Sequence, residues 1–460
     1  MTRICVVGAG YVGLVTGVCL AELGHDVVCV DVDTVRIEQL KAGTLPFFEP
    51  GLAELLHAVA IAGRIQFTSH YAEAIPNAEI VFIAVNTPAS AEGQADLMAV
   101  RAAVRELGPL LRREAVVVNK STVPIGTGDL VSFLLAQCTS VPFSVVSNPE
   151  FLREGSAVAD FRQPDRLILG SRDPLAARRV AALYGPLQCP VMITDIRTAE
   201  MIKYASNAYL ATRISFINEI AAICERLGAD VADVAQGMGY DRRIGRQFLN
   251  AGIGWGGSCF PKDVRALIHM AAVSGSHPQL LRAVVEINHD QRLAVIQKLK
   301  AHLRTLEGRT VALLGLSFKP NTDDLRNAPS VELVELLRQE GCQIRAFDPV
   351  ALERARRELP GLELCADAYA AARDADALVL VTEWDEFRRL DLPALRRMMR
   401  TPVVVDGRNL FDPLLMQASG FTYTGVGRPM TTETPANPDL ASGTEWPAGA
   451  EQDLASALAP

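Results

Sequence analysis

The nine cysteines form no C-x-x-C pair, and the seven histidines do not join them at metal-ligand spacing. That pattern argues against a zinc site or a disulfide framework and points to reduced thiols in a cytoplasmic protein without a metal. Long apolar runs are missing too. No stretch is long enough to cross a bilayer, and the first run, Ile4 to Val7, is too short for a signal segment and is needed as a strand. Positive charge is in short supply: 45 Lys and Arg against 53 Asp and Glu give a formal net charge of −8. Nucleic acid and membrane surfaces are therefore not expected as partners, whereas a phosphorylated small molecule needs only a local cationic pocket.

What the chain does have is length and alternation. Its 460 residues, 49% of them apolar, are enough for two or three domains. Strand-like and helix-like segments alternate through most of it, which indicates α/β architecture. Ile4 to Val7 runs into Gly8, Gly10 and Gly13 at G-x-G-x-x-G spacing; a helical pattern follows to Leu23, and a second strand, Val27 to Val30, closes on Asp31. In a dinucleotide-binding unit the glycines allow the turn and a close approach to pyrophosphate at the helix N-terminus, and the acid bonds the ribose hydroxyls. A bare glycine motif is often a turn with no ligand, but the strand before it, the helix after it and the placed acid favour nucleotide binding. Asp31 favours NAD, since a carboxylate repels a 2′-phosphate; Arg36 is the nearby group that could accommodate one.

Residues 1–194 read as one nucleotide-binding unit. Further strands near Ile80 to Val85, Val116 to Asn119 and Phe143 to Val146 end at Asn86-Thr87-Pro88, Ser121-Thr122 and Asn148-Pro149-Glu150. Ligands bind beyond the carboxyl ends of parallel strands, so these connections mark a cofactor cleft. Residues 195–303 read as helical. Asp195 to Gly228 has no proline and no internal glycine, and its apolar residues Ile202, Ala205, Tyr209, Phe216, Ile217, Ile220, Ile223 and Cys224 recur at helical spacing. Such a helix suits an inter-domain spine and a dimer face, and more helix is expected from Asp263 to Leu303. Residues 304–430 form a second α/β block whose first strand leads into Gly315 to Lys319, without the three-glycine fingerprint, so a nucleotide-like substrate is expected there. The tail, 431–460, has acids but no Lys or Arg and is expected to be disordered.

The segment GWGGSCFPKD places Cys259 in a glycine-rich turn, three residues before Lys262 and four before Asp263. Taken alone it leaves two readings open, a buried structural thiol and a nucleophile activated by nearby cations or N–H donors. On the long helix Lys203 and Asn207 are four residues apart and share a face that could meet this turn. Glu150 and Glu154 follow a strand expected to end at the cofactor cleft.

Taken together, GAGYVG (8–13), VNTP (85–88), KSTVP (120–124), NPEFLREG (148–155), KYASNAYLATRISFINEI (203–220), FLNAGIGWGGSCFPKD (248–263), GLSFKPNTDD (315–324) and DGRN (406–409) resemble the UDP-glucose 6-dehydrogenase family, in family order over residues 1–427. The resemblance implies two Rossmann-like parallel-sheet domains, binding NAD and UDP, joined by a long helix and a central helical dimerisation domain. It also implies oxidation of UDP-glucose at carbon 6 to a carboxylate with two NAD reduced in turn, in a homodimer or larger assembly.

Roles follow from the same resemblance. Lys203, Asp263 or a water near Thr122 would take the first proton; Cys259 would attack the aldehyde; Glu150, its pKa raised by its pocket, would activate the hydrolytic water; Lys203 and Asn207 would hold the oxyanions. Gly8, Gly10, Tyr11, Val12, Gly13, Asp31, Arg36, Thr87, Thr122 and Glu154 would contact the cofactor. Phe151, Leu152, Arg153 and Glu154 would line the substrate site, Phe248, Leu249, Asn250, Gly252 and Gly256 would wrap the substrate, and Lys319 and Arg408 would bind it. Arg243 would reach a neighbouring subunit's site. Two departures from the family pattern, Trp255 in the active-site loop and Asn327 after Arg326, would tune affinity. The alternatives are a sister enzyme acting on GDP-mannose or UDP-N-acetylmannosamine, a one-step dehydrogenase, and a non-catalytic NAD-binding sensor or scaffold.

Overall fold

The structure is a computed structural model describing residues 1–90 and 93–428, so the expected tail lies outside the described residues. Two sheets organise the chain. The first contains β1 (Arg3–Val7), β2 (Asp26–Val30), β3 (Ile65–Thr68), β4 (Ile80–Ile83), β5 (Ala115–Asn119), β6 (Phe143–Ser147), β7 (Leu167–Ser171) and β8 (Val191–Thr194), in spatial order 3-2-1-4-5-6-7-8. The second contains β9 (Thr310–Leu314), β10 (Gln343–Phe347), β11 (Glu363–Leu364), β12 (Ala377–Leu380), β13 (Val403–Asp406) and β14 (Thr422–Thr424), in order 11-10-9-12-13-14. β5 and β9 are buried at every residue, which explains why their sequences are continuous apolar runs without alternation. In each sheet the order reverses beside the first strand, between β1 and β4 and between β9 and β12. Crevices at such reversals are where ligands bind in open α/β sheets.

The parallel reading needs one refinement: β7 runs antiparallel to β6, and β8 is parallel to β7. Between β6 and β7 the NPEFLREG segment and the short helix Ala157–Arg162 bring the chain back without a crossover, and a parallel return would require one.

The spine helix, Ile196–Leu227, follows the expected bounds. Asp195 caps it by accepting from the Thr198 N–H at 2.9 Å, and Gly228 ends it at φ 75°. Its buried stripe is partly polar, containing Glu200, Lys203, Asn207, Ser215 and Asn218. The apolar residues divide between faces. Ile217 and Cys224 are buried, whereas Tyr209, Phe216 and Ile223 are exposed. The helix expected from Asp263 to Leu303 is two, Phe260–Val273 and Gln279–Leu303, because Gly275 turns the chain at φ 82° and Pro278 precedes the second start.

Candidate active site

The cofactor side is built at the end of β1. Gly8 sits at φ 100°, and a Cβ on Gly13 would lie 1.9 Å from the Gly8 carbonyl oxygen, so the turn admits no side chain there. The helix that follows, Tyr11–Glu22, has neither a capping side chain nor an acid in its first turn, leaving its positive end open to a pyrophosphate. Asp31 is held ready at the end of β2: Ala9 N–H donates to its Oδ2 at 2.7 Å and Arg36 Nη1 at 3.0 Å. Thr87 Oγ1 donates to the Thr122 carbonyl at 2.7 Å, tying two strand ends together across the cleft. Tyr11 donates its hydroxyl to Glu49, which also accepts from Gly155 N–H at 2.6 Å and Ala157 N–H at 2.7 Å. Glu49 thus joins the glycine fingerprint to the NPEFLREG segment.

Cys259 lies at the N-cap of helix Phe260–Val273, half-buried. The loop leading to it is sewn between the spine and the second sheet. Gly252 N–H donates to Asn218 Oδ1 at 2.8 Å, Ile253 N–H to the Gly407 carbonyl at 2.7 Å and Trp255 N–H to Asn288 Oδ1 at 2.7 Å. A Cβ on Gly256 would come within 2.2 Å of the Asn327 carbonyl oxygen. The glycines therefore serve close packing of loop on domain as much as any approach of ligand.

Around the thiol, charge is arranged in pairs. Lys203 Nζ lies 2.9 Å from Glu150 Oε1, with both side chains almost wholly buried. Asp263 accepts from Asn207 Nδ2 and from Lys262 Nζ, each at 2.6 Å. Burial opposes charge on Lys203, but Glu150, Cys259 and Asp263 outweigh it and hold the ammonium above its ordinary pKa. Burial also pushes Glu150 up, yet Lys203 and the Leu152 N–H bring it below the carboxylate range. The raised pKa expected for Glu150 is thus not found, because the lysine is its ion-pair partner. Burial lifts the Cys259 thiol to about 11; Lys203 opposes this, while Glu150, Asp263 and Glu154 add to it. Glu154, by contrast, is raised by burial and by Asp324 to about 8.

Several expected residues converge on this centre. Phe151 stacks beneath Lys203 at 5.4 Å and under the Arg166 guanidinium at 3.7 Å. Lys319, its charge disfavoured by burial, feels Glu154 and Cys259. Thr122 borders a polar recess shared with Asn119, Ser147, Glu200 and Lys203. Others are placed differently. Arg153 is committed to Asp160 at 2.6 Å, Leu249 packs with Ile217 and Ala221, and Asn250 is exposed. Phe248 adopts φ 61°, and Arg243 pairs with Asp241 on the surface of its own chain. Arg408 spends its guanidinium on the Val381 carbonyl at 2.8 Å and the Gly254 carbonyl at 3.1 Å, pinning the loop. Trp255 packs among Ala208, Ala211, Val264 and Val284 and donates to Ser215 at 3.0 Å, so its ring belongs to the helical core and not to the loop's ligand face.

The sequence reading missed Ser258, which joins Cys259 to Glu154, and Arg326, which donates to Glu154 at 3.1 Å and to Asp324 at 2.6 Å. It also missed Glu49 and Glu200. Ser258 could have been found from its place beside the thiol; the others carry no local signal.

Three domain models of one family match the chain in order. They are the NAD binding domain of the UDP-glucose/GDP-mannose dehydrogenase family over residues 2–188, its central domain over 197–290 and its UDP binding domain over 312–413. The chain is similar to a UDP-glucose 6-dehydrogenase of Pseudomonas aeruginosa, 49% identical over 442 residues and covering 93% of this chain and 98% of the other. It is similar to another from Bacillus subtilis, 47% identical over 437 residues with 94% and 95% covered. Among solved structures, a UDP-glucose dehydrogenase from the hyperthermophilic archaeon Pyrobaculum islandicum superposes with a TM-score of 0.88 at 40% identity, covering 93% of this chain and 98% of that one. With both crevices, the cysteine loop and all three domains accounted for, this chain belongs to the UDP-glucose/GDP-mannose dehydrogenase family and is an NAD-dependent dehydrogenase.

Proposed function

We propose that the protein oxidises the C6 alcohol of UDP-glucose to the carboxylate of UDP-glucuronate through a covalent intermediate on Cys259. The observation that carries this reading is the clustering of that thiol with the Lys203–Glu150 and Asn207–Asp263 pairs. Bound NAD⁺ supplies a hydride acceptor for each of two oxidations. In the first, the alcohol proton leaves through a water in the Thr122 recess, since Lys203, already charged, has no lone pair to receive it. Sulfur then adds to the aldehyde carbon, and Lys203 and Asn207 stabilise the oxyanion as ammonium and amide donors. Loss of the second hydride leaves a thioester. As Lys203 turns toward the oxyanion formed by water attack, Glu150 is released from its ion pair and takes the water's proton.

In this reading residues 1–194 hold NAD, 195–303 carry the thiol and the subunit contact, and 304–430 hold the UDP group, with Lys319 and the backbone around Arg408 at the sugar nucleotide. The exposed stripe Met201, Tyr209, Phe216 and Ile223 on the spine helix supports a homodimer. Arg243, exposed at the surface and paired only with Asp241 of its own chain, would then exchange that partner for the adjacent subunit's site. Nine free thiols fit a cytoplasmic protein.

The test is NADH stoichiometry with UDP-glucose, UDP-galactose, UDP-N-acetylmannosamine and GDP-mannose. Two NADH per UDP-glucose are expected. One NADH with aldehyde release would contradict the reading, as would preference for another sugar nucleotide.

A further inference from the structure

Sulfur cannot bond to the aldehyde carbon until Cys259 gives up its proton, and the charged groups beside it offer few acceptors. Lys203 is held as an ammonium, Glu150 is tied to it, and Asp263 already accepts from Asn207 and Lys262. The fourth group whose charge reaches the thiol is Glu154.

A polar chain connects them. Ser258 Oγ lies 3.6 Å from Cys259 Sγ and donates to Glu154 Oε1 at 2.8 Å. With its hydrogen committed to Glu154, the hydroxyl has only lone pairs to offer sulfur, so the S–H donates to it and every hydrogen points from thiol toward carboxylate. Beyond Glu154 the chain crosses to the second α/β block, where Asp324 meets it carboxyl to carboxyl. With both acids ionised this contact is repulsive, so the pair readily takes up one proton. Glu154 Oε2 is buried and has no donor. Arg326 donates to both acids and Arg354 lies 3.1 Å from Asp324, keeping Asp324 ionised and able to accept from a protonated Glu154.

We propose that Ser258 and Glu154 form a relay that removes the Cys259 proton, Ser258 passing it on and Glu154 receiving it and sharing it with Asp324. The relay rests on the reading of Cys259 as the nucleophile. As the S–C bond forms, the S–H bond breaks and its proton moves to Ser258 Oγ. The Ser258 hydrogen moves to Glu154 Oε1, and the carbonyl π pair moves onto oxygen beside Lys203 and Asn207. Nothing is oxidised in this step. On hydrolysis the departing sulfur recovers its proton by the reverse path. A carboxyl at about 8 is a far better match to a thiol at about 11 than one near its ordinary 4.5. Tyr11, Cys259, Lys319, Asp324 and Arg326 are the titratable and charged groups that face Glu154.

Two measurements on the full-length protein separate a relay from a merely electrostatic or structural role. One is the rate of Cys259 alkylation by iodoacetamide without sugar, followed by peptide mass spectrometry. The other is single-turnover NADH formation from the C6 aldehyde of UDP-glucose at saturating NAD. Alkylation is slow enough for the thiol to equilibrate with solvent and so reads only its pKa, which Glu154 raises as a charge; Glu154→Gln is therefore expected to speed it. As an acceptor it is indispensable, so the same variant is expected to slow aldehyde oxidation by about a hundredfold and to lose the rise in rate with pH through about 8. Ser258→Ala should slow aldehyde oxidation by about tenfold or more, with Ser258→Thr restoring most of it. Parent-like aldehyde oxidation in Ser258→Ala or Glu154→Gln overturns the relay, as does a slowing of both reactions together, which would signal damage to the loop. If the parent itself oxidises neither UDP-glucose nor its aldehyde, the proposed function falls and takes the relay with it.

Discussion

Lys203 lies 2.9 Å from Glu150 with neither side chain more than 5% exposed, so each is the other's ion-pair partner in a buried site. Lys203→Met strands the carboxylate and is expected to cost about 3–5 kcal/mol of stability. The double variant Lys203→Met/Glu150→Gln should recover most of that loss and none of the activity. Urea unfolding and kcat on the three proteins check this.

The same pair gives a pH signature. Glu150 is held below 4.5, so its contribution is complete above that value and is lost as pH falls through the folded pKa. Lys203 is held above 10.5, so its contribution is complete below that value and is lost as pH rises through the folded pKa. The stability gap between parent and double variant should therefore be flat from about pH 5 to about pH 10 and change at both ends. Denaturant midpoints across pH measure it directly.

Packing of the cysteine loop makes a sharper demand than its backbone freedom. Gly256→Ala puts a methyl 2.2 Å from the Asn327 carbonyl oxygen and is expected to cost about 1–3 kcal/mol, with a fall in kcat as the thiol shifts. Gly228→Ala, at φ 75° with open space around it, should cost about 1 kcal/mol and leave kcat alone. Equal kcat in the two variants would deny the loop its positioning role.

Cofactor choice should turn on Asp31. Asp31→Ser removes a carboxylate that repels a 2′-phosphate and frees Arg36 from its 3.0 Å bond. A loss of about 1.5–3 kcal/mol in NAD binding is expected, together with a gain in NADP use. The ratio of kcat/KM values for the two cofactors reports it.

The exposed stripe on the spine helix predicts assembly. Phe216→Lys with Tyr209→Lys should produce monomers in sedimentation velocity, where the parent sediments as a dimer or larger. A monomeric parent would remove the subunit contact and any role for Arg243 across it.

The glycine fingerprint, Asp31 and the spine helix were legible because each is set by neighbours within a turn or a βαβ unit. Pairings across the chain were not. Nothing in NPEFLREG says that Glu150 will meet Lys203 and lose its raised pKa, because that depends on how a sheet edge packs on a helix residue 53 positions further along the chain. Trp255 looked like part of the ligand face since it sits in the cysteine loop, but its indole fills a gap beside Ala208 and Ala211, where the spine has no bulk of its own. Arg326 and Asp324 reach the site only because two domains close on each other.

Intact-mass spectrometry of Glu150→Gln, mixed with UDP-glucose and NAD and quenched in acid, tests the covalent account most directly. A species heavier by one UDP-glucuronyl group, lost on Cys259→Ser and mapped to the peptide bearing Cys259, is the expected result. An adduct-free protein in a variant that has already formed NADH from UDP-glucose would contradict it.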